Sequence, residues 1–296
     1  MSVESGAPAQ FRGCVVVPPS TDAAYWRSMV ADKAAAAGLV VVEIDQGVDT
    51  ALPSGDMVLI TNDARRAYSF QPTDWAVLLS RPSTGGGRDA SSLIHAAGIL
   101  AALSELPQGT PILTDRDLIG SLDPLELFGR FQLVHKHAPL SGWEVENHTA
   151  SLFLSLYEDG LPLVGARREW GPDIFTYDVK ARFAAVTAGE LDISGIARTL
   201  VLGPNLALPP GRWRVTASFA VDKLASTRIY RMEWGISEDF AEVSFSPGQA
   251  GVYKMEIEHI WSAAEPVELR LALAESAVAG WLEFRGATVE LLAPMS

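Results

Sequence analysis

A glycine-rich loop stands between an apolar run and an amphipathic run in the first third of the chain. It consists of Gly85, Gly86, Gly87 and Arg88. A strand, a glycine loop and a helix form an arrangement that binds phosphate, because glycines let backbone N–H groups approach the anion. The loop lacks the GxGxxG and GxxxxGK[ST] fingerprints, and Asp89 would repel an anion at the start of the helix. An anion or nucleotide-sugar contact and a plain surface loop are both open interpretations.

A second candidate for anion binding lies in NDARRAY, residues 62–68. Arg65 and Arg66 follow an apolar run, and two neighbouring guanidinium groups can grip a phosphate or a carboxylate. Paired arginines on a loop are also common as solvated residues. Together with the glycine loop they would form the anion-binding or nucleotide-binding site of an enzyme that uses nucleotide sugars.

Other chemical sets are weaker. HKH at 135–137 places two imidazoles at i, i+2, which would share one face of a strand, but no thiolate lies near and solvated histidines are the simpler interpretation. Asp115 and Asp117 either form an acid–base pair or cap the following turn. The chain has no GxSxG, HExxH or DxDxDG motif. The sequence predicts no metal and no cofactor, and it leaves catalysis open.

A third set of candidates alternates with apolar residues near the C-terminus. In WLEFR, Leu282 and Phe284 fit a core face, which turns Trp281 to the other side. An outward aromatic ring among charged groups suits sugar binding, because the ring covers the apolar sugar face and the charged groups bind hydroxyls. The predicted carbohydrate-binding residues are Trp281, Glu283, Arg285, Arg231, Glu233 and Arg270. A solvated sheet face, or a face covered by the first domain, is the alternative.

The elements that must position these residues follow two patterns. Up to about residue 134, short apolar runs alternate with helical stretches. Strands are predicted at 14–19, 39–44, 56–62, 75–80 and 111–116, and helices at 20–38, 89–106 and 123–134. Strands that are apolar on both faces and alternate with helices indicate a parallel sheet. We therefore predict a Rossmann-like α/β domain over residues 1–140.

After about residue 145 the spacing becomes strictly two-residue. The alternating runs are 149–157, 212–222, 227–237, 252–261, 267–274 and 281–292. Many such strands between turns indicate an antiparallel β-sandwich or jelly roll over residues 145–296. Trp213 and Trp234 fall on core faces, whereas Trp143 and Trp170 are expected in loops, where either can pack between the domains.

Three segments of this second part carry a resemblance. They are LYEDGLPL (156–163), LVLGPNLALPPGRWRVTASFAVD (200–222) and GWLEFRGATVELL (280–292). Together they resemble the jelly-roll modules of carbohydrate-binding type that accompany bacterial cell-surface polysaccharide enzymes. The resemblance covers roughly residues 150–293 and implies a sandwich fold and a glycan ligand. It carries over no catalytic residues, and no clear acidic loop for calcium is present.

Composition limits the function classes. The 296 residues carry a net charge of −13, which argues against non-specific binding to nucleic acid or to an anionic membrane. Cys14, the single cysteine, is expected to be a buried strand thiol. Without a secretory pattern or an apolar run of about 20 residues, we expect a cytoplasmic protein that does not insert into membranes.

The leading hypothesis is a carbohydrate-binding protein linked to bacterial surface polysaccharide, with a non-catalytic or degenerate α/β domain. Its partner would be a glycan or polysaccharide, with a protein partner or a second copy of the chain also possible. The alternatives are a glycosyltransferase-like or nucleotide-sugar-using enzyme and a structural subunit of a larger assembly.

Overall fold

A computed structural model describes residues 10–45, 52–84, 90–119, 123–134, 152–178 and 188–295. Contacts between Cα atoms divide the chain into two compact units. The first unit comprises Met1–Gly85, Glu105–Glu144 and Glu158–Gly160, and the second comprises Gly86–Ser104, Val145–Tyr157 and Leu161–Ser296. The predicted domain boundary between 140 and 145 lies outside the described residues.

The first unit is built on a parallel sheet, sheet A, as predicted. Its strands are β1 (Arg12–Val16), β2 (Val40–Glu43), β3 (Met57–Thr61), β4 (Asp74–Leu79) and β5 (Ile112–Thr114), in the order β2-β3-β1-β4-β5. Helix α1 (Ala23–Ala36) connects β1 to β2, and the short helix α3 (Asp115–Leu118) follows β5. The predicted strand 111–116 is therefore too long, because its last two residues begin α3.

Both faces of the central strands of sheet A are buried. Val15, Ile60 and Leu78 lie on the face that packs against α1 through Trp26 and Val30. On the opposite face, Cys14, Leu59 and Val77 are fully buried as well. Burial on both faces is the reason these strands read as continuous apolar runs. The prediction of a buried thiol is confirmed, and burial raises the pKa of Cys14.

The predicted helix over 123–134 is wrong. These residues form a hairpin of β6 (Leu125–Leu127) and β7 (Phe131–Leu133). Arg130 N–H donates to the Leu127 carbonyl, and the turn residues Phe128 and Gly129 have φ angles of 59° and 63°. Two positive φ angles match the twist of a hairpin turn, but phenylalanine rarely adopts them, so the turn was not recognisable from residue types.

The second unit is an antiparallel β-sandwich, as predicted. One layer, sheet B, has the order β10-β17-β12-β15, and β8 pairs with β17 outside that path. Its strands are β8 (Arg167–Trp170), β10 (Glu190–Asp192), β12 (Gly211–Val221), β15 (Gly251–Trp261) and β17 (Trp281–Pro294). The other layer, sheet C, has the order β14-β13-β16-β11-β9. Its strands are β9 (Thr176–Tyr177), β11 (Arg198–Leu208), β13 (Tyr230–Ile236), β14 (Asp239–Phe245) and β16 (Glu265–Leu273).

The two layers enclose an aromatic core. Trp213 and Phe219 of β12, and Trp234 of β13, are fully buried, which confirms the core assignments of both tryptophans. The rings of Trp213 and Trp261 stack with their centroids 6.3 Å apart, and Trp234 meets Trp261 edge to face at 5.9 Å. The indole N–H groups of Trp213 and Trp261 both donate to the Pro209 carbonyl at 3.0 Å.

Two predictions near the start of the second unit are wrong. The segment 149–157 is not a strand in its described part, because residues 152–157 are helical. Phe153, Leu154, Leu156 and Tyr157 are its buried residues, at the i, i+1, i+3, i+4 spacing of a helix. LYEDGLPL is accordingly a helical end and a turn rather than two strands. Trp170 lies in β8 and is buried against Phe153, Phe175 and Trp234, so it is a core residue of the second unit.

Helix α2 (Ala90–Ala101) belongs to the second unit, although its place in the sequence suggested the α/β domain. It contacts β11 and β16 of sheet C. Leu93, Ala97 and Leu100 are buried on one stripe of the helix, whereas His95 is exposed. Among the described residues, no helix is both long enough and apolar enough to cross a membrane.

A bulge in β17 shapes the outer face of sheet B. The register of β17 against β12 shifts between Ser218 and Phe219, so that Arg285 and Gly286 both lie opposite Ser218. Gly286 has a φ of +102°, and a Cβ atom there would lie 2.3 Å from the Trp170 carbonyl oxygen. Only glycine therefore allows β8 to approach β17 at this position.

We expect Gly286→Ala to lower the free energy of unfolding by more than about 2 kcal/mol, because strain from the left-handed backbone adds to the clash with Trp170. Gly248→Ala is the control, since Gly248 has a φ of +79° but open space around its Cβ position. Urea unfolding followed by tryptophan fluorescence measures both. Equal losses in the two variants would show that the approach of β8 does not constrain the bulge.

Candidate functional site

The outer face of sheet B has a stripe of short side chains on its middle strand β12, and this stripe with the residues beside it is here called the trough. Its floor is the outward side of β12, where the side chains are short: Thr216, Ser218 and Ala220. Their main-chain partners on β15 carry longer side chains on the same face, and on β17 the longer side chains are those of Glu283, opposite Ala220, and of the bulge residue Arg285. The short side chains from Thr216 to Ala220 therefore form a track about 14 Å long beside the longer side chains of β15.

The β17 wall of the trough contains three of the predicted sugar-binding residues. Trp281, Glu283 and Arg285 are outward and roughly half-exposed, with 46% of the Trp281 surface accessible. Arg285 Nη2 lies 2.8 Å from Glu283 Oε2, so the two side chains form an ion pair. Trp281 begins β17, where its carbonyl accepts a hydrogen bond from Asp222 N–H just beyond β12.

The exposure of Trp281 distinguishes it from the other tryptophans that the structure describes. Their accessible fractions are 8% or less, namely Trp26, Trp75, Trp170, Trp213, Trp234 and Trp261. A large aromatic ring left at a polar sheet face is characteristic of a contact surface, since burying it elsewhere would stabilise the fold.

The β15 wall was not predicted from the sequence. Val252, Lys254 and Glu256 lie opposite Ala220, Ser218 and Thr216 respectively. All three β15 side chains are exposed. Their alternation along β15 is visible in the sequence, but their place beside the floor depends on the strand order β15-β12-β17. Strands that are neighbours in space but distant in sequence cannot be paired from alternation alone.

One end of the trough is occupied by an ionic cluster. Glu258 accepts hydrogen bonds from Arg214, at 2.6 Å from Nη2, and from Arg212. These bonds hold the pKa of Glu258 below its ordinary value. Arg214 also lies 3.7 Å from Glu290 and 4.0 Å from Glu256. The guanidinium groups at this end are therefore already neutralised by carboxylates.

The other three predicted sugar-binding residues lie on sheet C, so the structure splits the predicted set into two surfaces. Glu233 pairs with Arg231 at 2.7 Å and with Arg270 at 3.6 Å. Arg270 also bonds Glu268 and stacks over the Phe240 ring, 4.1 Å from its centroid. The outer faces of the two layers of a sandwich point away from each other, so no single glycan contacts both groups.

The predicted arginine pair in the first unit is engaged by acidic and carbonyl groups. Arg65 makes a bidentate contact with Asp63, with Nη2 at 2.8 Å from Oδ2 and Nε at 2.9 Å from Oδ1. Arg66 donates to the Asp45 carbonyl at 3.0 Å. Burial alone would raise the pKa of Asp63, but the hydrogen bonds and charge of Arg65 outweigh it, and the pKa is lowered.

The glycine loop itself, residues 85–88, lies outside the described residues, so its anion-binding role stays a prediction. Strands β1 and β4 precede this loop in the chain. Hydrogen bonds join the residues that follow their carboxyl ends. The Ser80 hydroxyl donates to Ser20 Oγ at 2.8 Å, and Thr21 N–H donates to the Arg81 carbonyl at 3.0 Å. In open α/β sheets, ligands usually bind in the crevice at the carboxyl ends of two neighbouring strands whose connections run to opposite sides of the sheet. In this sheet, hydrogen bonds bridge that crevice.

The remaining candidates are the pair Asp115 and Asp117 and the HKH segment. Asp117 accepts from Thr114 N–H at 2.8 Å in a capping box, so the capping interpretation holds for it. The HKH segment at 135–137, together with Trp143, lies outside the described residues. Within the described ranges, no group of three or more histidine, cysteine, aspartate and glutamate side chains is placed to hold a metal ion.

Comparison with known proteins finds solved structures only, since no family model and no curated protein matches the chain. The C-terminal 40% or so matches β-sandwich carbohydrate-binding modules. One is a family 61 module solved with β-1,4-galactotriose, at 14% sequence identity. The match covers 42% of this chain and 88% of that chain, with a TM-score of 0.29. Another is the xylan-binding module CBM15, at 9% sequence identity. The match covers 44% of this chain and 99% of that chain, with a TM-score of 0.31.

A third match is the C-terminal CBM6 of LamC from Zobellia galactanivorans, at 11% sequence identity. It covers 34% of this chain and 98% of that chain, with a TM-score of 0.24. The second unit thus resembles carbohydrate-binding modules in architecture.

The Asp63–Arg65 pair gives a pH-dependent prediction. The folded pKa of Asp63 is lowered, so its contribution to stability is present above the unfolded value, near pH 4, and is lost as pH falls through the folded value. We expect Asp63→Asn to cost about 1 kcal/mol at pH 7, reduced because the Arg65 guanidinium is half-exposed. The difference from wild type should shrink as the pH approaches 3.

Urea unfolding midpoints of wild type and variant between pH 7 and pH 3 measure this effect, with Asp32→Asn on the exposed side of α1 as the control. A difference that stays constant over the whole range would show that the ionised Asp63 is not stabilised by Arg65.

Proposed function

We propose that the protein binds carbohydrate and that the trough on sheet B is its glycan-binding site. The observation that carries the proposal is Trp281, an exposed indole at the end of an open polar track. The side chains of the floor are short enough to admit a ligand, and the walls supply groups that bind hydroxyls. A glycan chain lying along β12 would contact both walls.

The chemistry of the walls matches the two faces of a sugar ring. The Trp281 indole offers an apolar surface for the C–H face of a pyranose. The Glu283 carboxylate accepts hydrogen bonds from hydroxyl groups, and the Arg285 guanidinium donates them. Because these two side chains already hold each other at 2.8 Å, little side-chain freedom is lost when a ligand engages them.

The finer part of the proposal concerns the first unit. We propose that it is non-catalytic and that the whole chain serves a process that handles bacterial surface polysaccharide. In support, the charge of Arg65 is neutralised by Asp63, and hydrogen bonds bridge the strand ends where such sheets usually hold nucleotides. The enzyme alternative would need the 85–88 loop to supply the anion contacts that these groups do not offer.

A glycan array followed by calorimetric titration of the best ligand tests the site. We expect Trp281→Ala to weaken binding at least tenfold, because it removes the stacking surface. Arg231→Gln on sheet C is the matched control, since it changes an equally exposed charged residue on the opposite surface. Full binding by Trp281→Ala, or loss of binding by Arg231→Gln, would place the glycan elsewhere.

A thermal shift assay with 1 mM UDP-glucose separates the proposal from the nucleotide-sugar enzyme. A site with a Kd of about 10 μM would stabilise the protein by about 2.7 kcal/mol at that concentration. We expect no rise in Tm. A rise that disappears in Arg65→Met would instead favour the enzyme and its arginine pair.

A further inference from the structure

The middle of the trough has an asymmetry of charge that bears on which glycans it binds. Ser218 lies on the floor, with Lys254 of β15 directly opposite on one side and the Arg285–Gly286 bulge on the other. Two cationic side chains therefore stand on either side of one hydroxyl. Gly286 has no side chain, and the Trp170 carbonyl of β8 fills the position that a Cβ atom would take.

Lys254 differs from the other charged side chains around this point in its contacts. Glu283 pairs with Arg285 at 2.8 Å, and Glu256 lies 4.0 Å from Arg214. For Lys254, by contrast, no ion pair or hydrogen bond of its side chain occurs within the described part of the chain. Ser218 Oγ is likewise without a hydrogen-bond partner there. An exposed ammonium beside a hydroxyl, both available to a ligand, is thus the feature that distinguishes the middle of the trough.

Glu256 lies two residues from Lys254 on the same face of β15, about 7 Å along the strand, and the other acidic groups are farther away. Glu190 and Asp192 lie on β10, three strand spacings from β15, or about 14 Å. Charges between exposed groups are screened over about 8 Å at physiological ionic strength. The net charge of −13 is spread over the chain, so its field at Lys254 is weak compared with that of a direct contact.

We propose that the trough selects glycans that carry an anionic substituent, a carboxylate or a sulfate ester, and that Lys254 and Ser218 bind this group. This inference rests on the proposed function and specifies its ligand class. A sugar ring farther along the same glycan would reach Trp281 along the floor past Ala220. The anion would receive hydrogen bonds from the ammonium of Lys254 and the hydroxyl of Ser218.

An array that prints each uronate-bearing oligosaccharide beside its carboxyl-reduced form, and each sulfated one beside its desulfated form, tests the inference. We expect the anionic member of at least one pair to bind at least tenfold more tightly. That preference should fall as NaCl is raised from 50 to 500 mM. The identity of the preferred pair separates carboxylate from sulfate.

Lys254→Gln and Ser218→Ala are the test variants, and both are exposed or half-exposed substitutions that leave the core untouched. We expect Lys254→Gln to abolish the preference while retaining the weaker binding of the neutral form, and Lys254→Arg to retain much of it. Equal binding of neutral and anionic forms, with no effect of Lys254→Gln but loss in Trp281→Ala, would overturn this inference and leave the proposed function standing. No retained glycan at all would overturn both.

Discussion

The two-residue alternation of β12 is the constraint on which the second unit depends. Trp213, Val215, Ala217 and Phe219 are its fully buried residues, and the intervening residues are forced outward. A one-residue slip of register would exchange the core for the solvent face, so the inner aromatic side chains fix the outer surface. The short outward side chains on β12 become the floor of a trough because β12 pairs with β15 and β17 on either side.

The aromatic core accounts for the rigidity of that surface. Trp213, Trp234 and Trp261 pack on one another, and the Pro209 carbonyl satisfies two of their indole N–H groups. At the opposite edge, the bulge at Gly286 admits β8 and turns Arg285 outward beside Glu283. The walls of the trough are thus held by packing beneath them, which favours binding without reorganisation of the backbone.

Prediction of strands and core faces from the sequence succeeded where a single hydrophobic periodicity dominated a segment. The apolar strands β1, β3 and β4 and the inward faces of β12 and β13 followed directly from alternation and from continuous apolar runs. It failed at the 123–134 hairpin, where Phe128 adopts a backbone conformation unusual for its type, and at 152–157, where a short apolar run fits a helix as well as a strand. The placement of α2 failed because chain order does not reveal which sheet a helix covers.

For the site, the sequence identified outward residues but could not assign them to surfaces. Arg231, Glu233 and Arg270 are outward just as Trp281 is, but they lie on sheet C, whereas Lys254 and Ser218 join Trp281 through strand pairing alone. Long-range pairing brings together residues separated by more than sixty positions, and residue types do not encode that order.

The most direct measurement maps the glycan contact itself, by following backbone amide chemical shifts during titration with the tightest ligand from the array. Glycan binding in the trough predicts that the largest shifts fall in 216–220, 252–256 and 281–286, with sheet C and the first unit unaffected. Shifts centred on β13 and β16, or on residues 61–67 of the first unit, would contradict it.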